Sequence, residues 1–130
     1  MKTFEREISW VIWEFDADKN DTVEKTRTKT ATFNELNRTD KSQHKLHFKL
    51  ISLFQGLEGS AESAEDINVS TDALYDITCK AIKTLIVTDG EKFTKTDLEE
   101  FLNDSMAILP FGLWMLKEKF SPFFKNLSMS

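Results

Sequence analysis

The first third of the chain alternates with a period of two. Ile8, Trp10 and Ile12 fall on one side of an extended segment, and Val11, Trp13 and Phe15 fall on the other. Both sides are apolar towards the end of this run, which predicts a strand covered on two faces. The next run, Val23 to Phe33, places Thr26, Thr28, Thr30 and Thr32 on one side and Lys25, Arg27 and Lys29 on the other. Threonine favours strands, so the two runs predict an antiparallel hairpin that turns within Asp16–Asp21. Its register stays open, because a slip of one residue exchanges the faces. A two-stranded hairpin is marginal alone, and its tryptophans need a helix or a second chain over them.

Beyond the hairpin the period changes to that of a helix. Asp40 or Ser42 is placed to cap a helix reaching about Leu57, with Leu46, Leu50, Leu53, Phe54 and Leu57 on its apolar side. The segment GSAESAEDINVS follows. It is small and acidic, and it predicts a loop over about 58–69. Ser70 or Thr71 caps the next helix, whose stripe of Leu74, Ile77, Ala81, Ile82, Leu85 and Ile86 is the cleanest in the chain. Thr88-Asp89-Gly90 is expected to end it. Thr96-Asp97-Leu98-Glu99 has the form of a capping box and starts a helix burying Leu98, Phe101, Leu102 and Leu109, which Pro110 should kink or split. Ser121-Pro122 is expected to start a last short turn. The prediction is therefore an α+β, mainly α, single domain over 1–130. It has an N-terminal antiparallel β-hairpin at about 4–33, then three to four amphipathic helices at about 40–128.

Composition narrows the function classes. The net charge of −5 argues against nucleic acid, whose phosphates call for a basic surface. A single cysteine, Cys79, forbids an intramolecular disulfide and fits a reducing compartment. The opening MKTFEREISWVIWEF carries Glu5 and Glu7 and does not read as a secretory leader. The longest apolar run, Ile108 to Leu116, is too short to span a bilayer. A cytoplasmic protein with no membrane and no nucleic-acid partner is the expectation.

The one stretch that imitates chemistry is DADKNDTVEKTR, Asp16 to Arg27. Asp16, Asp18 and Asn20 match the first ligands of a calcium-binding EF-hand loop. Asp21 stands where the sharp turn needs Gly, and Arg27 stands where a bidentate Glu belongs. The flanks read as strands rather than helices. A polar hairpin turn is the better reading. His44 and His47, three apart, lack further zinc ligands and read as a helix face. Cys79 reads as a small buried residue. No nucleophile, base and orienter come together, and no Gly-rich phosphate loop is present. No catalytic residue, metal or cofactor is expected. KTRTKTAT reads as an exposed strand guarded by cations rather than a nucleic-acid ribbon.

The aromatic residues are the strongest feature left. Phe111, Trp114, Phe120, Phe123 and Phe124 crowd the C-terminal segment, and Trp10 and Trp13 mark the first strand. These seven are the candidate protein-interaction surface. The layout of β-rich N-terminus, amphipathic helices broken by an acidic loop, and aromatic C-terminal helix resembles the tail assembly chaperones of long-tailed bacteriophages. The likeness is clearest from Leu46 to Phe124 and transfers no functional residue. It implies a non-enzymatic protein of the host cytoplasm, absent from the mature virion. Such a protein binds the tape measure protein, keeps it soluble and helps recruit tail tube protein. It also implies self-association, with spiral assemblies fitting the role, and in many members a longer form made by ribosomal frameshifting. The alternative is a small cytoplasmic regulatory or inhibitor protein acting as a discrete dimer on one protein partner.

Overall fold

The computed structural model describes residues 2–56, 70–88 and 92–122. The architecture is α+β, mainly α: an N-terminal antiparallel sheet followed by four helices. The elements are β1 (Thr3–Asp16), β2 (Asp21–Asn34), α1 (His44–Gly56), α2 (Thr71–Leu85), β3 (Ile86–Val87), α3 (Lys95–Leu102) and α4 (Ser105–Met115). The predicted acidic loop at 58–69 and the residues Phe123 and Phe124 lie outside the described residues. Among the described residues, no helix is long and apolar enough to cross a membrane.

The hairpin turns where expected. Asp16 pairs with Asp21, and between them Asp16 Oδ1 accepts from the Asp18 amide at 2.9 Å. Asn20 adopts φ 51°, a left-handed conformation that Asn tolerates better than most residues. The first carboxylate of the calcium-like stretch thus serves the turn itself.

Register decides the faces. Trp10 stands opposite Arg27, Ile8 opposite Lys29 and Phe4 opposite Phe33, and this side meets the helices. Trp13 stands opposite Glu24 and Phe15 opposite Thr22, and both are exposed on the other side. Within the single chain β1 is therefore covered on one face, and its own helices do not supply the second cover. The full alternation of the strand explains why: the Trp13 side also carries Glu5, Glu7 and Ser9, which belong in water.

The sheet has a third strand that periodicity concealed. α2 ends at Leu85, before Thr88-Asp89-Gly90, and Ile86 and Val87 pair with Phe33 and Thr32. Two consecutive β-branched residues favour the extended form there. Ser70 caps α2 by accepting from the Ala73 amide at 3.2 Å. Asp40 caps a short 3₁₀ turn, Lys41–Gln43, that leads into α1.

The α3 cap sits earlier than predicted. Thr94, not Thr96, is the N-cap: its hydroxyl accepts from the Asp97 amide at 3.1 Å, and the Asp97 carboxylate accepts back from the Thr94 amide at 3.0 Å. Asp97 wins this role because it faces the sheet, where Lys29 awaits it. The helix break also moves. It falls at Asn103–Asp104, and α4 runs on through Pro110. Asp104 caps α4 by accepting from the Met106 and Ala107 amides, so the new helix begins with two of its free donors satisfied. Ser121 and Pro122 continue the helix beyond a π-type turn at Leu116–Phe120 instead of starting a new one.

Aromatic rings join the sheet to the last two helices. Phe4 stacks on Phe33 at 5.3 Å between centroids, Phe33 meets Phe111 at 5.4 Å, and Phe111 meets Phe101 at 5.7 Å. Trp10 continues the series to Phe101 at 5.9 Å and Phe93 at 5.8 Å. Ring contacts of this kind add about 0.5–1.5 kcal/mol each beyond burial. Leu46, Leu50, Ala81, Ile82, Leu85, Ile108 and Met115 complete the core from α1, α2 and α4.

Candidate protein-interaction surface

The seven predicted interaction residues separate into three groups. Trp10, Phe111 and Phe120 are buried in the core and cannot form a free surface, which corrects their assignment. Trp10 and Phe111 are held in the ring series that joins sheet and helices, and Phe120 belongs to the same buried cluster. Trp114 is half-buried, with the Arg6 guanidinium 4.0 Å above its ring. Phe123 and Phe124 lie outside the described residues. Of the five that are described, Trp13 alone is strongly exposed, at 67%.

Trp13 has neighbours that the sequence reading did not single out as site residues. Phe15, on the same face, is 63% exposed. Their strand is an outer strand of the sheet, since the order is β1-β2-β3. One carboxylate ties its edge to α4: Asp104 Oδ2 accepts from the Val11 amide at 2.8 Å, while Oδ1 accepts from Met106 at 3.1 Å and Ala107 at 3.3 Å. This places the first turn of α4 beside Val11. Met106 is itself 78% exposed, and Leu113, two turns on, is also exposed. α4 carries no charged side chain over Ser105–Met115. Exposed apolar residues thus lie both on the open sheet face, Trp13 and Phe15, and on the outer side of α4, Met106 and Leu113. A signal for this was in the sequence. An uncharged helix with apolar residues on every side leaves part of them outside any one-sided core.

The cationic side of β2 is not a free ribbon. Lys29 Nζ reaches Asp97 at 2.6 Å, and Arg27 Nε reaches Glu100 at 3.2 Å. Glu100 Oε1 also accepts from Trp10 Nε1 at 3.1 Å. Asp97, Glu100 and Asp104 recur at helical spacing and face the sheet together. Burial by itself pushes the Asp97 carboxyl up, but hydrogen bonds from Lys29 and from the amide and hydroxyl of Thr94, with the Lys29 charge, bring it below its ordinary range. Lys25 pairs with Glu14 at 2.7 Å.

The remaining polar candidates serve the fold. His47 is buried, and burial, followed by the nearby His44, holds its pKa below the ordinary value against the opposing pull of Asp40. Tyr75 donates to the Leu102 carbonyl at 3.1 Å, and a hydrogen bond with Cys79 pushes its hydroxyl up. Among the described residues, no three His, Cys, Asp or Glu side chains gather as a metal site.

The geometry is that of an α+β fold in which Asp97, Glu100 and Asp104 tie helices to the sheet while Trp13, Phe15 and Met106 stay exposed. No family model, curated protein or solved structure matches the chain.

Proposed function

We propose that this protein acts by binding other proteins, as a tail assembly chaperone that holds a tape measure protein in solution during tail morphogenesis. One observation carries the reading: Trp13 and Phe15 stand exposed together on the open sheet face, on a domain whose own core is closed beneath the other face. Large adjoining apolar side chains in water favour association, because covering each recovers about 1.5–3 kcal/mol. A long amphipathic helix is a suitable occupant, since its apolar stripe offers repeated anchors. The likeness in layout to the phage chaperones supplies the identity of that helix and the proposal of a host-cytoplasmic protein that recruits tail tube protein and self-associates.

The test is co-expression with the tape measure protein of the same genome. The reading expects a soluble complex, weakened by the paired substitution Trp13→Lys and Phe15→Lys. A tape measure protein that stays insoluble and unassociated overturns it. Light scattering that gives a closed dimer at every concentration supports the regulatory alternative instead.

A further inference from the structure

The α1 face turned away from the core has an arrangement that stability does not account for. Lys45, Phe48, Lys49 and Ser52 follow one another at helical spacing and, with Lys80 of α2, line an open groove of about 340 Å³. Phe48 is 65% exposed and Ile51, beside it on α1, is also exposed. Lys45 and Lys49 are four residues apart, so they repel each other on the helix. Lys49 is relieved by an ion pair with Asp76 across the groove, whereas Lys45 and Lys80 form no ion pair among the described residues. From Lys41 to Leu57 the chain contains no Asp or Glu, although its net charge is −5. Cations are thus concentrated around an exposed aromatic ring on an otherwise acidic protein.

We infer that this groove is a docking site for an acidic amphipathic helix of a partner protein, which lays an apolar residue on Phe48 and carboxylates against Lys45 and Lys80. Charge complementarity argues for that occupant. A basic helix would be repelled by the Lys45 and Lys80 ammonium groups, and a purely acidic segment would leave the Phe48 ring uncovered. An acidic amphipathic helix answers both. Its approach to a net negative protein would be guided by the cations of this groove, and the aromatic ring would serve as anchor. This site is separate from the Trp13 and Phe15 surface and does not depend on the tail-assembly reading.

The test uses the full chain and three fluorescein-labelled synthetic helices, read by anisotropy. The first carries Leu and Phe at i, i+3, i+4 and i+7 with Glu elsewhere. The second replaces Glu by Lys, and the third keeps Glu but replaces the apolar positions by Ala. The first is expected to bind, and the other two to bind at least about tenfold more weakly, the weight that one anchor or a matched charge set typically carries. Lys45→Glu and Phe48→Ser should each weaken the first peptide about fivefold or more, and Trp13→Ser should leave it unchanged. These sites are on the surface, and circular dichroism establishes that each variant is folded. Equal binding of the first and third peptides, or undiminished binding by folded Phe48→Ser, overturns the inference in favour of plain charge attraction. No binding of the first peptide overturns it outright. Loss on Trp13→Ser instead of Phe48→Ser moves the peptide to the other surface and equally overturns it.

Discussion

Asp104 and Val11 are joined across 93 residues of sequence by a 2.8 Å hydrogen bond from the Val11 amide to Asp104 Oδ2. The same carboxylate caps α4 through Oδ1. An edge strand exposes a row of unpaired amides, and here one of them is satisfied by a helix cap. Asp104→Ala removes both functions. It should cost about 1–3 kcal/mol, combining a lost cap with an amide left without its partner. Asp104→Asn keeps one acceptor oxygen and should recover part of that. Urea unfolding gives the difference, and hydrogen exchange at the Val11 amide should accelerate in Asp104→Ala, which has no acceptor left for it.

α2 and α4 approach closely at one point. A Cβ added to Gly112 would lie 1.9 Å from Thr78 Oγ1 and 2.9 Å from Thr78 Cβ. Thr78 is buried, and its hydroxyl donates to the Leu74 carbonyl, so it has little room to turn away. Gly112→Ala would gain about 1 kcal/mol of helix propensity, but the overlap should outweigh this and leave the protein about 1–3 kcal/mol less stable. Adding Thr78→Ala removes the hydroxyl clash but not the Cβ contact. The double variant should therefore regain some stability relative to Gly112→Ala and not reach the parent. Thermal unfolding of the three proteins decides this.

Asp97 makes a pH prediction whose sign follows from its lowered pKa. The unfolded chain takes up a proton at this carboxyl near pH ~4, while the folded chain resists until lower pH. The contribution to stability is complete above that value and is lost as pH falls through the depressed folded one. Asp97→Asn should be less stable than the parent at pH 7, and its stability should fall less between pH 5 and 3, so that the two curves converge in acid. Denaturant midpoints across that range measure both slopes. Parallel curves would remove Asp97 from the acid sensitivity of the fold.

The parity of β1 was legible in the sequence; which parity is core was harder to read. Near the hairpin tip Trp10 and Ile12 alternate with Val11 and Trp13, and a local window sees two apolar faces. Only Glu5, Glu7 and Ser9, further back, mark the Trp13 side as solvent. The helical stripes of α1 and α2 were readable because their burial is one-sided and regular. The α3 face was not. Asp97, Glu100 and Asp104 look like ordinary solvated acids until Lys29 and Arg27 of β2 and the Val11 amide of β1 are folded against them, and pairing between elements 68 or more residues apart leaves no local trace. The C-terminal aromatics misled for a related reason. Phe111 and Phe120 have the composition of an interface, but both are buried, and Phe111 packs against Phe33 and Phe101. The surface that does remain open, Trp13 with Phe15 and Met106, is split between a strand and a helix far apart in sequence.

Trp10 and Trp13, three residues apart, should respond oppositely to substitution. Trp10 is 1% exposed, packs on Phe93 and Phe101, and donates to Glu100. Trp10→Phe keeps part of the ring volume but leaves Glu100 without the indole donor and a space behind it, so it should cost about 1–3 kcal/mol. Trp13→Thr exchanges an exposed ring for a good strand former beside Thr26 and Glu24 and should change stability by no more than about 0.5 kcal/mol. Fluorescence separates the two independently of stability. Trp13 should be the residue most readily quenched by acrylamide, so the parent's accessible fraction should largely vanish in Trp13→Thr and persist in Trp10→Phe. A Trp13→Thr variant that unfolds as easily as Trp10→Phe would mean that the Trp13 face is covered in solution. In that case its midpoint should depend on protein concentration, as mass action requires of any face buried by a second copy.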